Sequence, residues 1–165
     1  MSDELNIIVG FLAGIGLPAR PGTVAEGAFL PAIRIERGGL VFDPQRLRWP
    51  GDLLHEAGHI AVTPPAQRAA LDGALAGAEA APHGGEIEAM AWSWAAAVHL
   101  GLAPERLFHP EGYKGQSAAL LLTYSLGVYP GAFGLAQAGM TLVGEAAVAA
   151  GVAPYPHMLR WLRAG

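Results

Sequence analysis

The chain contains no cysteine. That excludes a disulfide framework and any thiolate site, so a metal ion in this protein has to be held by histidine and carboxylate. Charge is scarce too: charged residues make up 15% of the 165, with 10 basic against 14 acidic and a formal net charge of −4. The arginines are scattered apart from Arg46 with Arg48 and Arg160 with Arg163. The dense basic surface that nucleic-acid binding requires is missing. The N-terminal segment carries Asp3 and Glu4 where a secretory signal needs Lys or Arg, so a cytoplasmic location is the expectation. No linker, internal repeat or low-complexity tail is visible, and residues 1–165 read as one domain.

Apolar residues are abundant, at 52%, which argues for a packed core rather than disorder. Residues 116–144 contain no charge at all. Pro130-Gly131 breaks this stretch, and Gly, Ser, Thr and Gln recur in it. Two buried helices joined at Tyr129-Pro130-Gly131 account for it better than a membrane span, because helix breakers at mid-span need special compensation.

The remaining pattern is mostly helical. Residues 3–14 place Leu5, Ile8, Val9 and Leu12 on one helix face. Residues 16–27, rich in Pro and Gly, read as a loop. Ile33 and Ile35 alternate with Arg34 and Glu36, and Gly38-Gly39 offers a permissive turn before Leu40–Phe42 return, the signature of a two-stranded hairpin. Asp52 reads as the cap of a helix starting at Leu53 and stopping by Thr63-Pro64-Pro65. A short helix over 66–71, a loop over 72–85 and a long helix over 86–100 with Gly101 beyond its end follow. Short or medium helices are expected from Pro104, over 117–127, over 133–150 and over 157–163, with a loop over 109–115.

One motif carries chemistry: His55-Glu56-Ala57-Gly58-His59. Histidines four apart on a helix share a face and converge on one ion. Glu56 follows the first ligand by one residue, where it reaches a water on the ion rather than the ion itself. Zinc brings such a water's pKa down towards ~7, and the glutamate takes the proton as the water attacks a carbonyl. Gly58 removes a side chain where neighbouring backbone or substrate approaches. The rest of this helix is apolar, and two histidines and a glutamate in such a setting are costly unless paired or coordinated.

HEAGH after the Leu53-Leu54 pair resembles the zincin metallopeptidases. The resemblance implies a motif helix packed on a small sheet whose edge strand binds an extended peptide, with the hairpin over 33–42 as the source of that sheet. The positions at which metzincins carry a further Gly and His hold Val62 and Pro65, which excludes that class. Glu86-Ile87-Glu88-Ala89-Met90-Ala91-Trp92 is similar to the E-x-x-A-x-x-aromatic pattern of the ImmA/IrrE metallopeptidases, with Met90 where that family usually has Asn. It implies a gluzincin arrangement, in which a Glu from a second helix completes the ligand set. Helical geometry places Glu86 with Met90, Ser93 and Ala97, and turns Glu88 nearly opposite, with Trp92, Ala95 and His99. The smaller first face suits close approach of the motif helix and favours Glu86. Glu88 then reads as an exposed surface acid, and Asp72, Glu79 and His83 remain fallback ligands.

Zincins often use a Tyr or His to stabilise the oxyanion, which makes Tyr113, His109, Tyr155 and His157 candidates, each with an ordinary structural reading beside it. Trp92, Trp94 and Trp161 read as core anchors, His99 as structural, and Asp43 as a turn residue. The expectation is an α+β, mainly helical, zincin-like domain with a small sheet. It hydrolyses a peptide or protein with zinc on His55, His59 and Glu86, and with Glu56 as general base. Two rivals stand beside it. A non-catalytic zinc-binding regulatory or interaction module suits the small size but has no use for Glu56. A membrane-associated protein would use the uncharged stretch.

Overall fold

The structure is a computed structural model that describes residues 2–25, 32–72 and 85–165. Helix α1 (Asp3–Gly14) starts where the Ser2 hydroxyl accepts the Leu5 N–H at 3.3 Å, with Asp3 and Glu4 complementing the dipole of its first turn. It buries Leu5, Ile8 and Leu12, as the spacing predicts.

Three short strands follow: β1 (Ala19–Pro21), β2 (Ile33–Glu36) and β3 (Gly39–Phe42), in the order β1-β3-β2. β2 and β3 form the expected antiparallel hairpin, and Ile33 and Ile35 point inward while Arg34 is exposed. The turn lies one residue earlier than the Gly38-Gly39 pair suggests. Arg37 and Gly38 take the left-handed positions (φ 49° and 72°), and Gly39 already pairs with Glu36. β1 corrects the loop expected over 16–27: it runs parallel to β3, with Ala19 opposite Leu40. Pro21 sits on an outer strand of the sheet, where a missing N–H is tolerated.

The motif helix α2 (Gly51–Val62) packs on the inner face of β3 and most closely on α4 (Glu86–His99), with the short α3 (Pro65–Arg68) between them in sequence. Its Leu53, Leu54 and Ile60 join Leu12, Phe42 and Trp92 in one core. Two distant arginines serve its C-terminal carbonyls. Arg68 donates to Ile60 O at 3.2 Å and Thr63 O at 3.0 Å, and the Arg163 backbone N–H donates to Ala61 O at 3.0 Å. The Arg68 guanidinium at this end complements the helix dipole.

The C-terminal half departs from the sequence reading in three places. The helices of the uncharged stretch are not the buried pair expected: residues 117–125 bury only Ser117 and Tyr124, and Leu122, Leu126, Val128 and Phe133 are exposed. After α5 (Pro104–Leu107), α6 (Ser117–Ser125) and α7 (Ala132–Gln137), the helix expected over 133–150 breaks. Gly139 turns left-handed (φ 69°), and the helix resumes only as α8 (Gly144–Ala150). The helix expected over 157–163 is an irregular strap with a single bridge at Met158. Its apolar spacing looks helical, but the backbone is committed elsewhere: Leu159 N–H donates to Met140 O at 2.9 Å, and Thr141 pairs with Met158. Trp161 anchors the strap on the core, accepting the Trp92 indole N–H on its carbonyl at 2.8 Å. The chain is thus α+β, with one core shared by a small three-stranded sheet and the helices. Among the described residues no helix is long and apolar enough to cross a membrane.

Candidate metal centre

The crossing of α2 and α4 makes the site. A Cβ added at Gly58 would lie 2.6 Å from the carbonyl oxygen of Ala89, so only glycine allows this approach. Ser93, on the same face of α4, folds its hydroxyl back onto Ala89 O and Met90 O and keeps that face smooth. The result is that His55, His59 and Glu86 converge. Glu86 Oε1 lies 3.3 Å from His55 Nε2, Glu86 Oε2 lies 3.1 Å from His59 Nε2, and the two Nε2 atoms are 3.3 Å apart.

These three separations decide whether the group fits an ion. Donors bound to one tetrahedral ion at ~2.0–2.1 Å stand ~3.3 Å from each other, the edge of the tetrahedron. The two Nε2 atoms stand at that edge, and each lies at about that distance from one Glu86 oxygen, His55 from Oε1 and His59 from Oε2. Three donors leave the fourth corner to the cleft. His55, His59 and Glu86 can therefore hold a metal ion, and among the described residues they are the one His/Cys/Asp/Glu group with such convergence.

The choice between the two glutamates is explained by burial. Glu86 is 59% exposed and turns into the cleft. Glu88 is not the surface acid its position suggested: it is buried against Gly134 and accepts the Gly85 N–H at 3.0 Å, so it holds the start of α4. Of the fallback ligands, Asp72 lies outside the converging group, and Glu79 and His83 lie outside the described residues.

The electrostatics follow from the contacts. Hydrogen bonds from His55 and His59 hold the Glu86 carboxyl far below the usual range. Burial alone pushes His55 down, but its bond to Glu86 and the charges of Glu86, Glu56 and Asp52 outweigh that and leave it raised. Burial pushes the Glu56 carboxyl up. Glu56 makes no hydrogen bond among the described residues and lines the cleft beside the triad, a carboxylate with its proton-accepting capacity unspent.

The cleft has a volume of about 990 Å³. Ala32 and Ile33 at the start of β2, Leu47, Trp49, Met90 and Leu120 give it an apolar lining. Tyr113 reaches it from the 109–116 loop. Its ring meets His55 edge-on at 5.2 Å, its hydroxyl is buried without a partner, and burial raises its pKa well above the usual value. Tyr113 and Lys114 both adopt left-handed backbone (φ 54° and 53°), a strain that non-glycine residues accept mainly where something holds them. His109 also lines the cleft. The other two oxyanion candidates do not: Tyr155 is buried with its hydroxyl on Ala91 O, and His157 is exposed on the strap.

Sequence reasoning missed one pairing here. Asp52 is not a helix cap; α2 has no side-chain cap, and Asp52 instead meets His109 Nε2 at 2.8 Å. The available signal was its place one turn ahead of His55 and Glu56, which puts it on the site's own face.

Comparison of the chain with protein-family models, curated proteins and solved structures gives no match. Function has to be read from the site itself.

Proposed function

We propose that this chain is a zinc-dependent metallopeptidase of the zincin type, with His55, His59 and Glu86 as the ligands and Glu56 as the general base. One observation carries the reading: two imidazoles and a carboxylate converge at the edge of the cleft, next to a buried carboxylate that is bonded to nothing else among the described residues. Two His nitrogens with one carboxylate is a donor set that suits zinc, and a site closed for structure alone has a fourth protein ligand and no need of a base.

Zinc held there supplies Lewis acidity to an attacking water and to a substrate carbonyl. The chain's own residues do the rest. Ala32 and Ile33, at the start of the outer strand β2, offer backbone along which an extended peptide runs. Glu56 accepts the proton of the attacking water and returns it to the leaving amine; its raised pKa suits a group that must do both. The Tyr113 hydroxyl, now without a partner, donates a hydrogen bond to the carbonyl oxygen as charge develops on it.

A peptide library digested by zinc-loaded wild type and by Glu56→Gln tests this. The variant keeps fold and zinc, and cleavage falls by ~100-fold or more, the scale of general-base loss. A variant that cleaves at the wild-type rate refutes the mechanism. A wild type that holds zinc and cleaves nothing points instead to a binding module.

A further inference from the structure

The metal ligand His55 uses only one of its two nitrogens. Its Nε2 faces His59 and Glu86, while its Nδ1 is buried and has no hydrogen-bond partner. Ligand imidazoles almost always give that second N–H to an acceptor, which fixes the tautomer and sharpens the lone pair on the other nitrogen. One turn earlier on the same helix face stands Asp52, in the wall of the same cleft. Its Oδ1 meets His109, and its other oxygen takes part in no hydrogen bond among the described residues.

His109, whose Nε2 meets Asp52, is firmly held. It is 2% exposed, and its ring stacks on Trp49 at 4.6 Å with only 4° between planes. Gly112 closes the other side: a Cβ there would come within 3.1 Å of both Cε1 and Nε2. The fold brings this pair together by another close approach, since a Cβ on Gly51 would lie 2.1 Å from Arg106 O, just ahead of His109 in the chain. Asp52 also forgoes the capping role open to an aspartate at a helix start, worth ~1 kcal/mol, so helix initiation does not account for it.

We propose that Asp52, held by His109, is the positioning carboxylate of His55, setting its tautomer and orientation so that Nε2 presents its lone pair to the metal. This rests on the metal-centre reading above. It assigns neither Asp52 nor His109 to coordination, and it predicts an effect on the ion that a merely structural pair would not produce.

The test uses the full chain, with zinc affinity measured by competition against a chromophoric chelator and cobalt(II) as a spectroscopic probe of ligand geometry. Asp52→Asn is expected to weaken zinc binding by about 10–100-fold and to shift the visible bands of the cobalt form, while the melting of the metal-free protein stays near wild type. His109→Phe keeps the stacking on Trp49 but removes the N–H, and is expected to move affinity and spectrum in the same direction by less. If Asp52→Asn unfolds the metal-free chain, His109→Phe decides. Asp43→Asn, on an exposed turn, controls for loss of charge and should change nothing. Wild-type affinity and an unaltered cobalt spectrum in folded Asp52→Asn overturn the proposal, and an effect of Asp52→Asn without one of His109→Phe overturns the part given to His109. A wild type that takes up neither ion refutes the metal-centre reading itself.

Discussion

Gly58 lies so close to Ala89 that the second helix rests its backbone directly on the motif helix, with a hypothetical Cβ only 2.6 Å from the Ala89 carbonyl oxygen. That contact sits one turn from Glu86 and one residue from His59. It sets the distance between the two helices, and so the distance between the candidate ligands His55, His59 and Glu86.

Gly58→Ala is therefore expected to destabilise the chain by ~1–3 kcal/mol, the usual scale of overpacking, and to weaken zinc binding by displacing Glu86. Gly10→Ala, in α1, meets nothing within 4 Å and should be neutral or stabilising by ~0.5–1 kcal/mol through helix propensity. Thermal melting and zinc titration of both variants check this. Equal behaviour of the two would contradict it.

Glu86→Ala and Glu88→Ala should separate cleanly. The first loses metal affinity with little change in metal-free stability at pH 8, where Glu86 is largely exposed and the triad's own contribution has faded. The second loses stability, because the Gly85 N–H is left without its acceptor and a buried group is removed beside Gly134. Zinc titration and melting of the metal-free proteins are the readouts, and greater zinc loss in Glu88→Ala would reverse the assignment.

The pH dependence has a sign that differs with and without metal. Glu86 has a depressed pKa, so its contribution is present above the unfolded value of about 4.3 and is lost as pH falls through the folded one. His55 has a raised pKa, so its contribution is present below about 6.5 and is lost as pH rises through the folded value. The metal-free chain should thus gain most from the triad between roughly pH 4.5 and 6.5 and lose that gain towards pH 8. Zinc needs neutral imidazoles, so the rise in Tm on adding zinc should be larger at pH 8 than at pH 6. His55→Gln should flatten both trends.

Arg68 donates to Ile60, Thr63 and Arg163 carbonyls, tying the end of the motif helix to the C-terminal strap. Arg68→Ala should cost ~1–3 kcal/mol, the price of leaving such acceptors unpaired. Chemical denaturation measures it, and a change under 0.5 kcal/mol, the range of ordinary surface substitutions, would show that water replaces the guanidinium.

Much of this arrangement was legible in the sequence where local chemistry decides it. The i, i+4 histidines, the face shared by Glu86, Met90 and Ser93, and the alternation of Ile33 and Ile35 are properties of single elements. The parts that were not legible depend on contacts between distant segments. β1 has no strand pattern of its own and exists because β3 offers it a partner. The 157–163 strap carries helix-like spacing, yet Met140 and Ala61 carbonyls take the backbone N–H groups that a helix would have used. Asp52 looks like a cap because capping is local, while its partner His109 is 57 residues away.

The measurement that bears most directly on the central claim is elemental analysis of protein purified without chelator or added metal. The account predicts about one zinc per chain in wild type, and none above background in a folded His55→Ala, His59→Ala double variant. Equal zinc in the two proteins, or none in either after dialysis against zinc, would contradict it.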